Sequence, residues 1–303
     1  MGSYRIAVVG GNNVDITATA TTPLVFGDSN PGSIRTGLGG VGRNIAENLT
    51  RLGQQVTLLT VLGDDEFSTM ATAQAARIGM DMTHAISVSG VPSCIYVCIN
   101  EPDGEMTVAV NDMELCNHIT PAYLSTKLDV LQATDAIIID ANISQESIDY
   151  IAQHCTPPIF ADAVAAKKAA RLHPSLPHLT GLKANQIEME LLTGQTIANE
   201  HDMRAAAHTL HQFGVEYVMI TLGSRGAFCS AGGVQVFSPP GTGRIINTTG
   251  CGDAFTAAMV LAVLEKKSVP DALSMGMAAA SICAQSMLAV SEQMRYELLV
   301  HQP

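Results

Sequence analysis

The stretch Asn247-Thr248-Thr249-Gly250-Cys251-Gly252-Asp253-Ala254-Phe255 leads from a loop of small residues into an apolar run. In that run Phe255, Met259 and Val263 recur at helical spacing. A helix that begins here directs backbone N–H groups and a partial positive charge toward the loop, which favours a bound anion such as phosphate. Asp253 in the first turn is also compatible with a simple capping role. The glycines favour ligand binding, because they let a ligand approach the backbone closely.

This loop resembles the Gly-Ala-Gly-Asp signature of the ribokinase-like (PfkB) sugar and nucleoside kinases. In that family the Gly-x-Gly amides form an anion hole for the transferring phosphate, and the aspartate accepts the proton of the attacking hydroxyl. The resemblance implies that Gly250, Cys251, Gly252 and Asp253 form the catalytic loop here. Cys251 stands where alanine is usual, and a small side chain is tolerable because the chemistry uses the backbone amide. Phosphoryl transfer depends mainly on positioning and charge neutralisation.

Composition limits the classes of function. The chain has 303 residues, of which 47% are hydrophobic and 15% charged, so a sizeable core is expected in one large α/β domain or two domains. The net charge of −12 argues against nonspecific nucleic-acid binding and against an anionic membrane surface. The apolar runs are interrupted well before they reach the length of a membrane span. The sequence therefore predicts neither a nucleic-acid partner nor a membrane partner.

The cysteines and the start of the chain predict a cytoplasmic location. Seven cysteines are an odd number in a chain of this size, which indicates reduced thiols. The first residues lead directly into a strand-like segment, so no signal peptide is predicted. The chain contains no G-x-x-x-x-G-K-[ST] motif, so a Walker-type phosphate loop is excluded and a nucleotide must bind in another way.

A predicted strand over residues 6–9 ends at Gly10-Gly11 and is followed by Asn12, Asn13 and Asp15. These side chains follow the carboxyl end of the strand, where open α/β sheets bind ligands. Asx-turn chemistry explains the same residues equally well on local evidence. The family resemblance favours binding, since PfkB kinases carry a sugar-binding aspartate here, and it assigns Asn13 and Asp15 to the substrate site.

The segment Gly37-Leu38-Gly39-Gly40-Val41-Gly42 formally satisfies G-x-G-x-x-G. A dinucleotide site needs an apolar strand directly before this motif, and residues 32–36 are not apolar. A glycine-rich approach to a ligand, followed by a helix that ends near Gly53, is the favoured interpretation. The pattern Gly39-Gly40-x-Gly42-x-Asn44 resembles the first signature of the PfkB family, which implies sugar contacts from Gly40, Gly42 and Asn44.

Two segments are predicted to form a small accessory sheet. Residues 93–100 and 106–110 alternate around Asp103-Gly104, which indicates a hairpin. Together with residues 12–38, this hairpin resembles the β lid of PfkB kinases, so the lid is placed at about 12–38 and 90–115. In relatives the lids pair across a homodimer, and the resemblance therefore implies a homodimer.

The remaining chain alternates predicted strands (56–62, 136–139, 159–161 and 215–222) with predicted helices (67–78, 144–154, 200–214 and 270–287). The predicted fold is a ribokinase-like three-layer α/β/α domain over residues 1–303 with a small β-sheet lid. His201, His208 and His211 fall on one face of the helix at 200–214, where a solvated face is favoured over a metal site.

The resemblance also implies an ATP site with Mg²⁺. The spacing Asn185-x-x-Glu188 resembles the family motif that holds magnesium-bound water, and residues 221–226 resemble the nucleotide-binding turn. Asn247 and Thr249 correspond to part of a monovalent-cation site, where Asn247 replaces the usual aspartate and weakens the attraction for K⁺. The implied ATP-binding residues are Asn185, Thr221, Gly223, Gly226, Gly250 and Gly252.

Within the family, several segments resemble the bacterial pseudouridine kinases. These are residues 28–32 and 39–44, Asn111-Asp112-Met113, Asn247 and Asp162-x-Val164-x-x-Lys167. This resemblance implies ATP-dependent phosphorylation of a nucleoside 5′-hydroxyl. Another sugar or nucleoside kinase (ribokinase-, uridine- or adenosine-kinase-like) and a non-catalytic nucleotide sensor remain alternatives. The residues assigned to the base and its surroundings are Ser29, Asn30, Ser93, Asn111, Met113 and Lys167.

Overall fold

A computed structural model of the protein describes residues 2–241 and 243–300. In these residues the strands are β1 (Arg5–Val9), β2 (Asn13–Ala20), β3 (Gly32–Gly39), β4 (Gln55–Leu59), β5 (Val61–Leu62), β6 (Ile86–Ser87), β7 (Cys94–Asn100), β8 (Met106–Asp112), β9 (Ala136–Asp140), β10 (Ile159–Asp162), β11 (Gly181–Asn185), β12 (Tyr217–Thr221), β13 (Ala227–Ala231) and β14 (Val234–Ser238). The α-helices are α1 (Val41–Arg51), α2 (Glu66–Ile78), α3 (Pro121–Ser125), α4 (Leu128–Gln132), α5 (Gln145–His154), α6 (Ala166–Ala169), α7 (Gln186–Thr193), α8 (Glu200–Gln212), α9 (Cys251–Leu264), α10 (Val269–Ala284) and α11 (Glu297–Val300). Short 3₁₀ segments occupy Glu114–His118, Ala170–His178 and Gly223–Arg225.

The main sheet of the described residues has eight strands in the order β14-β13-β12-β11-β10-β9-β1-β4. The strands from β12 to β4 run parallel, and β13 and β14 complete one edge in antiparallel orientation. Successive side chains of a strand point to opposite faces, so Ala7 and Val9 enter one hydrophobic core while Ile6 and Val8 enter the other. Helices α5, α7 and α8 cover the first face, and α1, α9 and α10 cover the second. The predicted three-layer α/β/α architecture is confirmed.

Strand β1 marks the point at which the strand order reverses. From β1 the chain proceeds to β4 at one edge of the sheet, and later returns to β9 on the other side of β1. Open α/β sheets bind ligands at the carboxyl ends of the strands beside such a reversal. Gly10 and Gly11, directly after β1, therefore lie where a ligand site is expected.

A second, four-stranded sheet has the order β3-β2-β7-β8, and we call it the lid sheet. The register aligns Gly37, Asp15, Tyr96 and Asn111 across its four strands, so these residues share one face. The opposite face is apolar and open to solvent, with Ile34 72% and Val110 69% exposed. The lid sheet thus has one polar face and one uncovered apolar face.

The main departure from the predicted elements lies at residues 56–62. One strand was expected there, whereas the structure has β4 in the main sheet and β5 in a small sheet with β6. The break falls at Thr60, whose hydroxyl donates to the carbonyl oxygen of Gly10 at 2.7 Å. A fully buried polar side chain within this largely apolar segment marks the change of partner. None of the helices in the described ranges is long and apolar enough to cross a membrane.

Candidate active site

Charged side chains meet at the carboxyl ends of three neighbouring parallel strands. Asp140 ends β9, Asp162 ends β10, and Lys183 lies in β11 two residues before its end. Asp253 approaches them from the first turn of α9. All four residues are at most 8% exposed. A buried cluster of three carboxylates and one amine at this edge of the sheet has the composition of a catalytic site rather than of a core.

Asp140 holds together the two glycine-rich loops beside the site. Its Oδ2 accepts the amide N–H of Gly11 at 2.8 Å and that of Gly42 at 2.7 Å, while its Oδ1 accepts from the amide of Asn142 at 2.9 Å. Burial raises the pKa of Asp140, and the three N–H donors oppose this by stabilising the carboxylate. Asp140 therefore holds the backbone at Gly11 and at Gly42 in position beside the site.

Gly40 is required by the path of the chain between the lid sheet and α1. Its φ of 100° lies in the region that favours glycine. A Cβ atom at this position would lie 2.5 Å from the carbonyl oxygen of Gly11. Gly42 is similarly confined, since a Cβ atom there would lie 2.9 Å from the backbone of Gly10. Contact between the two loops thus explains these glycines before any substrate is considered.

Asp253 is buried and is held by one side-chain donor. The Nδ2 group of Asn44 donates to Oδ2 of Asp253 at 2.8 Å. Burial, followed by the negative charge of Asp162, raises the pKa of Asp253 to about 7, although Lys183 and Asn44 act in the opposite direction. A carboxylate whose pKa lies near neutral pH is suited to accept a proton from an alcohol.

Lys183 supplies positive charge at the centre of the cluster. Its Nζ lies 3.3 Å from both carboxylate oxygens of Asp162. A Cβ atom at Gly252 would lie only 2.9 Å from this Nζ, so the ammonium group sits against the catalytic loop. Burial lowers the pKa of Lys183, but the carboxylates of Asp162, Glu188 and Asp253 outweigh this and raise it. Lys183 is therefore a permanent cation beside the glycine amides.

The loop before α9 is shaped to present backbone amides. Gly250 adopts a φ of 80°, and a Cβ atom there would lie 1.9 Å from the carbonyl oxygen of Ala289. Among the described residues no side chain caps α9, a helix of 14 residues, and Thr256 in its second turn donates to Oδ2 of Asp162 at 2.9 Å. The free N–H groups of an uncapped helix terminus bind an anion. This arrangement could hold an anion, with Lys183 on one side and Asp253 on the other.

A cleft of about 380 Å³ opens next to the loop before α9. Its volume is within the range of small-ligand sites. It runs from Lys183 and Gly252 to the 3₁₀ turn at Gly223–Arg225 and to small residues of α10. Most of its lining surface is apolar, which suits a purine base, and Cys251 and Gly252 at the start of α9 are among the residues that line it. The predicted nucleotide residues that line it are Asn185, Thr221, Gly223, Gly226 and Gly252.

Comparison with known proteins agrees with this geometry. Residues 4–294 match the model of the pfkB family of carbohydrate kinases. The chain belongs to the PfkB family. It is 33% identical to the pseudouridine kinase of Escherichia coli (strain K12) over 256 residues, which cover 84% of this chain and 82% of the relative.

Two further relatives extend over most of this PfkB kinase. It is 28% identical to the ribokinase of Bacillus subtilis (strain 168) over 285 residues, which cover 92% of each chain. Its fold matches that of Arabidopsis thaliana ribokinase complexed with ribose and ATP, with a TM-score of 0.86, 23% identity and full coverage of both chains. The predicted ribokinase-like fold is confirmed. The protein is an ATP-binding phosphotransferase that acts on an alcohol group.

On the nucleotide side of this PfkB kinase, Asn185 and Glu188 form a reciprocal capping box at the start of α7. The Asn185 side chain accepts from the Glu188 amide at 2.9 Å, and the Glu188 carboxylate accepts from the backbone N–H and the Nδ2 group of Asn185. The N-x-x-E spacing therefore has a structural role in starting the helix. The Glu188 carboxylate nevertheless lies close enough to Lys183 for the two charges to interact.

On the substrate side, the side chain of Asn13 donates to Oδ1 of Asp15 at 2.6 Å. Burial raises the pKa of Asp15, and this hydrogen bond opposes the shift. The Oδ1 atom of Asn12, the residue before Asn13, is buried and has no hydrogen-bond partner among the described residues. A buried acceptor without a donor is costly, so a ligand hydroxyl is a fitting partner for it.

The remaining lid and pocket residues occupy different positions. Asn111 is exposed on the polar face of the lid sheet, whereas the Ser93 hydroxyl is buried and donates to Asp65 at 2.7 Å. A contact between Ser93 and a base would therefore require this hydrogen bond to break. Asn30 stabilises its own loop through the backbone of Val25, and Ser29 in the same loop is exposed. Met113 packs against the core near Gly11.

In α6 the structure brings Lys168 rather than Lys167 to the sheet edge. Nζ of Lys168 donates to Oδ1 of Asn142 at 2.6 Å, while Lys167 is exposed. The two lysines follow each other in the sequence, and only the helical phase decides which one points inward. Asn142 in turn lies beside Asp140, so Lys168 is the basic residue that this helix places next to the substrate side.

At the other end of the catalytic loop, Asn247 accepts the amide N–H of Thr249 at 3.0 Å, and its Nδ2 group points toward the carbonyl oxygen of Met287. In the part of the chain that the structure describes, no group of three or more His, Cys, Asp and Glu side chains is placed to hold a metal ion. His211 instead contacts the carbonyl oxygen of Val215 and the hydroxyl of Ser230.

Sequence reasoning missed Lys183 and Asp140 as site residues. Both break the apolar character of buried parallel strands, Ala136–Asp140 and Gly181–Asn185. Charged residues are almost never fully buried unless they are paired. A charge inside or at the end of such a strand was therefore the signal available in the sequence.

Proposed function

We propose that the protein phosphorylates the 5′-hydroxyl of pseudouridine with ATP, giving pseudouridine 5′-phosphate and ADP. The observation that carries the proposal is the polar face of the lid sheet, where Asp15 and Asn111 lie in one row beside the catalytic cluster. A nucleoside has a sugar to contact Asp15 and a polar base to contact Asn111, whereas free ribose would leave Asn111 without a contact. The 33% identity to a pseudouridine kinase supports the same choice.

In the proposed reaction ATP lies in the cleft with its γ-phosphate at the start of α9. The carboxylate of Asp253 takes the proton of the 5′-hydroxyl as the nucleoside oxygen attacks phosphorus. A new P–O bond forms, the bond between the γ-phosphorus and the bridging oxygen breaks, and ADP leaves. The amides of the catalytic loop and the Lys183 ammonium group stabilise the charge on the transferring phosphoryl group.

The ribose is proposed to lie over Asn13, Asp15 and Asn44. Asp15 accepts hydrogen bonds from the 2′- and 3′-hydroxyls, which leaves the 5′-hydroxyl to Asp253. A deoxyribose would leave a buried acceptor unpaired, at a cost of about 1–3 kcal/mol. The position of the sugar directs its 5′-carbon toward Asp253 and the base toward the lid sheet.

The base distinguishes pseudouridine from uridine by one additional ring N–H. A site that pairs this donor discriminates much better than shape alone allows. Asn111 fits this role because its side chain is exposed on the polar face of the lid sheet and forms no side-chain hydrogen bond with the described residues. Ser29 and Asn30, in the loop between β2 and β3, remain part of the proposed base site.

Substrate kinetics test this proposal. Pseudouridine is expected to exceed uridine in kcat/KM, and Asn111→Ala should narrow that ratio while KM for ATP changes little. Thr36→Ala is the matched control, because Thr36 pairs with Ile16 on the opposite face of the lid sheet. If ribose or adenosine is the best substrate, or if both variants change the ratio equally, the base assignment is wrong.

Mg²⁺ is proposed to accompany ATP, with Glu188 holding one of its water molecules. A buried carboxylate near the phosphate end of the cleft suits a hard cation that keeps most of its own water. Bound Mg²⁺ would neutralise charge on the ATP phosphates. Lys183 already supplies one positive charge next to Glu188, so the protein provides part of the neutralisation itself.

Potassium is proposed to have a small effect. Asn247 is a neutral amide that points an N–H group toward the Met287 carbonyl, so it attracts a cation less than a carboxylate would. Replacement of Na⁺ by K⁺ at constant ionic strength should raise kcat only modestly, and Asn247→Asp should increase this activation. An absolute requirement for K⁺ in the unmodified protein would contradict this expectation.

A homodimer through the lid is proposed from the uncovered apolar face. Ile34, Ile99, Val108 and Val110 share this face and are 37–72% exposed. A sheet face of this kind is stabilised when a second copy covers it. The polar face remains available to the substrate, so the dimer and the active site do not compete.

Light scattering with size-exclusion chromatography checks this assembly. The unmodified protein is expected to be a dimer, and Val110→Lys should give a folded monomer because the charge enters the apolar face. Val234→Lys is the matched control, since Val234 is 45% exposed on β14, in the main sheet. A monomeric unmodified protein at working concentration, or a Val110→Lys variant that remains dimeric, would show that the lid is not the interface.

A further inference from the structure

The side chain of Arg43 lies beneath the substrate site and has no part in the reaction described above. It is 4% exposed, projects from the first turn of α1, and lies close enough to Asp15 and Asp253 to interact with their charges. Its Nη1 group donates to Oδ1 of Asn44 at 3.0 Å and to the carbonyl oxygen of Leu38 at 3.2 Å. Its Nη2 group forms an ion pair with Glu47. A guanidinium group buried so close to the catalytic cluster is expected to have a role there.

The chemistry of the two side chains fixes the orientation of the Asn44 amide. A guanidinium has only donors and no acceptor, so it binds the oxygen of an asparagine side chain and not its NH₂ group. With its oxygen on Arg43, Asn44 presents its NH₂ group to Oδ2 of Asp253 at 2.8 Å. We infer that Arg43 is a positioning residue for phosphoryl transfer, which holds Asn44 in the orientation that keeps Asp253 ionised and aligned.

The same guanidinium links the lid sheet to the catalytic base. Leu38 is the penultimate residue of strand β3, and the loop that follows it carries the glycines of the substrate site. Arg43 therefore joins the end of a lid strand, a substrate-binding side chain and, through Asn44, the base. One rigid planar guanidinium group thus fixes the end of the lid strand relative to Asp253. A lysine side chain is not equivalent to it.

Glu47 holds Arg43 in place from the next turn of α1. Its other carboxylate oxygen accepts from Nε of Arg51 at 2.8 Å, and Gln74 of α2 lies 3.4 Å away. Both arginines therefore contact Glu47, but only Arg43 contacts Asn44. Arg51 is thus a natural control, because its loss disturbs the same ion pair without touching the amide that faces Asp253.

Other charged groups also face Asp253 and stay in place when Arg43 is changed. They are Asp162 from β10, Asp140 from β9 and Lys183 from β11. Without Arg43, the Asn44 amide is free to turn its oxygen toward Asp253. Loss of an N–H donor to a carboxylate raises its pKa. The pH at which kcat/KM reaches its plateau should therefore move upward.

A double-mutant cycle between Arg43→Lys and Asn44→Ala tests the inference, which rests on Asp253 being the base of the proposed reaction. Lysine retains a positive charge beside Glu47 but cannot bridge Asn44 and Leu38. Arg43→Lys should lower kcat on the order of 10-fold to 100-fold, leave KM for ATP nearly unchanged, and shift the pH profile upward. In the Asn44→Ala background the same change should have little further effect on kcat. Arg51→Lys should add its own small effect independently in both backgrounds.

An Arg43→Lys effect of equal size with and without Asn44, or a pH profile that does not move, would overturn the inference. If Arg43→Lys fails to fold, Arg43→Gln combined with Glu47→Gln removes both charges of the ion pair and enters the same cycle. Thermal unfolding of each variant separates lost stability from lost positioning. Failure of the reaction proposal is distinguishable, because Asp253→Asn would then retain turnover whatever the outcome for Arg43.

Discussion

Replacing Asp253 with asparagine is expected to lower kcat by roughly three orders of magnitude or more. The substitution keeps the size of the side chain but removes the group that is proposed to accept the proton of the attacking hydroxyl. ATP and nucleoside should still bind, because the cleft and the sugar contacts are built from other residues. Single-turnover kinetics and isothermal titration of both ligands measure the two effects separately.

The pH dependence of the unmodified protein provides an internal control for this prediction. The pKa of Asp253 is raised to about 7, so the ionised base is lost as the pH falls through that value. The kcat/KM for the nucleoside should therefore rise with pH and reach a plateau above about pH 7. Near-normal turnover in Asp253→Asn would remove Asp253 from the role of base.

Replacing Lys183 with methionine is expected to lower kcat roughly 100-fold to 1,000-fold and to weaken ATP binding. The substitution removes the cation that contacts the catalytic loop and leaves Asp162 and Glu188 without their positive partner. Breaking a buried ion pair on one side typically costs about 3–5 kcal/mol of folding stability. The melting temperature should fall together with activity.

A second variant separates these two effects of Lys183. Lys183→Met combined with Asp162→Asn removes both charges of the pair, so much of the lost stability should return. Turnover should remain low, because the ammonium group beside Gly252 is still absent. Recovery of turnover along with stability would mean that Lys183 has only a structural role.

Local signals were sufficient to predict that a helix begins at this glycine-rich turn. Two glycines, an aspartate and an apolar helical repeat occur within a short span at Gly250–Asp253, and each has a direct physical meaning. The alternation of apolar strands and helices was likewise enough to predict the three-layer fold. The predicted helix 67–78 differs from the observed Glu66–Ile78 by only one residue. The agreement is close because a capping aspartate and a terminal glycine mark the two ends of the helix.

The parts that escaped prediction depend on contacts between distant segments. The sequence shows Lys183 within a predicted strand, but only the fold shows that it lies beside Asp162 and Gly252. The role inferred for Arg43 depends on its contacts with Asn44 and with Leu38 of the lid strand. The sequence does not show how the amide of Asn44 is oriented. The spacing of Asn185 and Glu188 fits both a capping box and a metal site, and only the hydrogen bonds show that the capping box is formed.

A competition experiment tests the central claim most directly. Equal concentrations of pseudouridine, uridine, adenosine and ribose are incubated with a limiting amount of ATP, and the phosphorylated products are separated by chromatography, since pseudouridine and uridine have the same mass. ³¹P–¹H correlation then locates the new phosphate on each sugar. We expect pseudouridine 5′-phosphate to predominate, with one ADP formed for each product molecule. Predominance of ribose 5-phosphate or adenosine 5′-phosphate would contradict the proposed substrate, while the assignment to the PfkB kinases would stand.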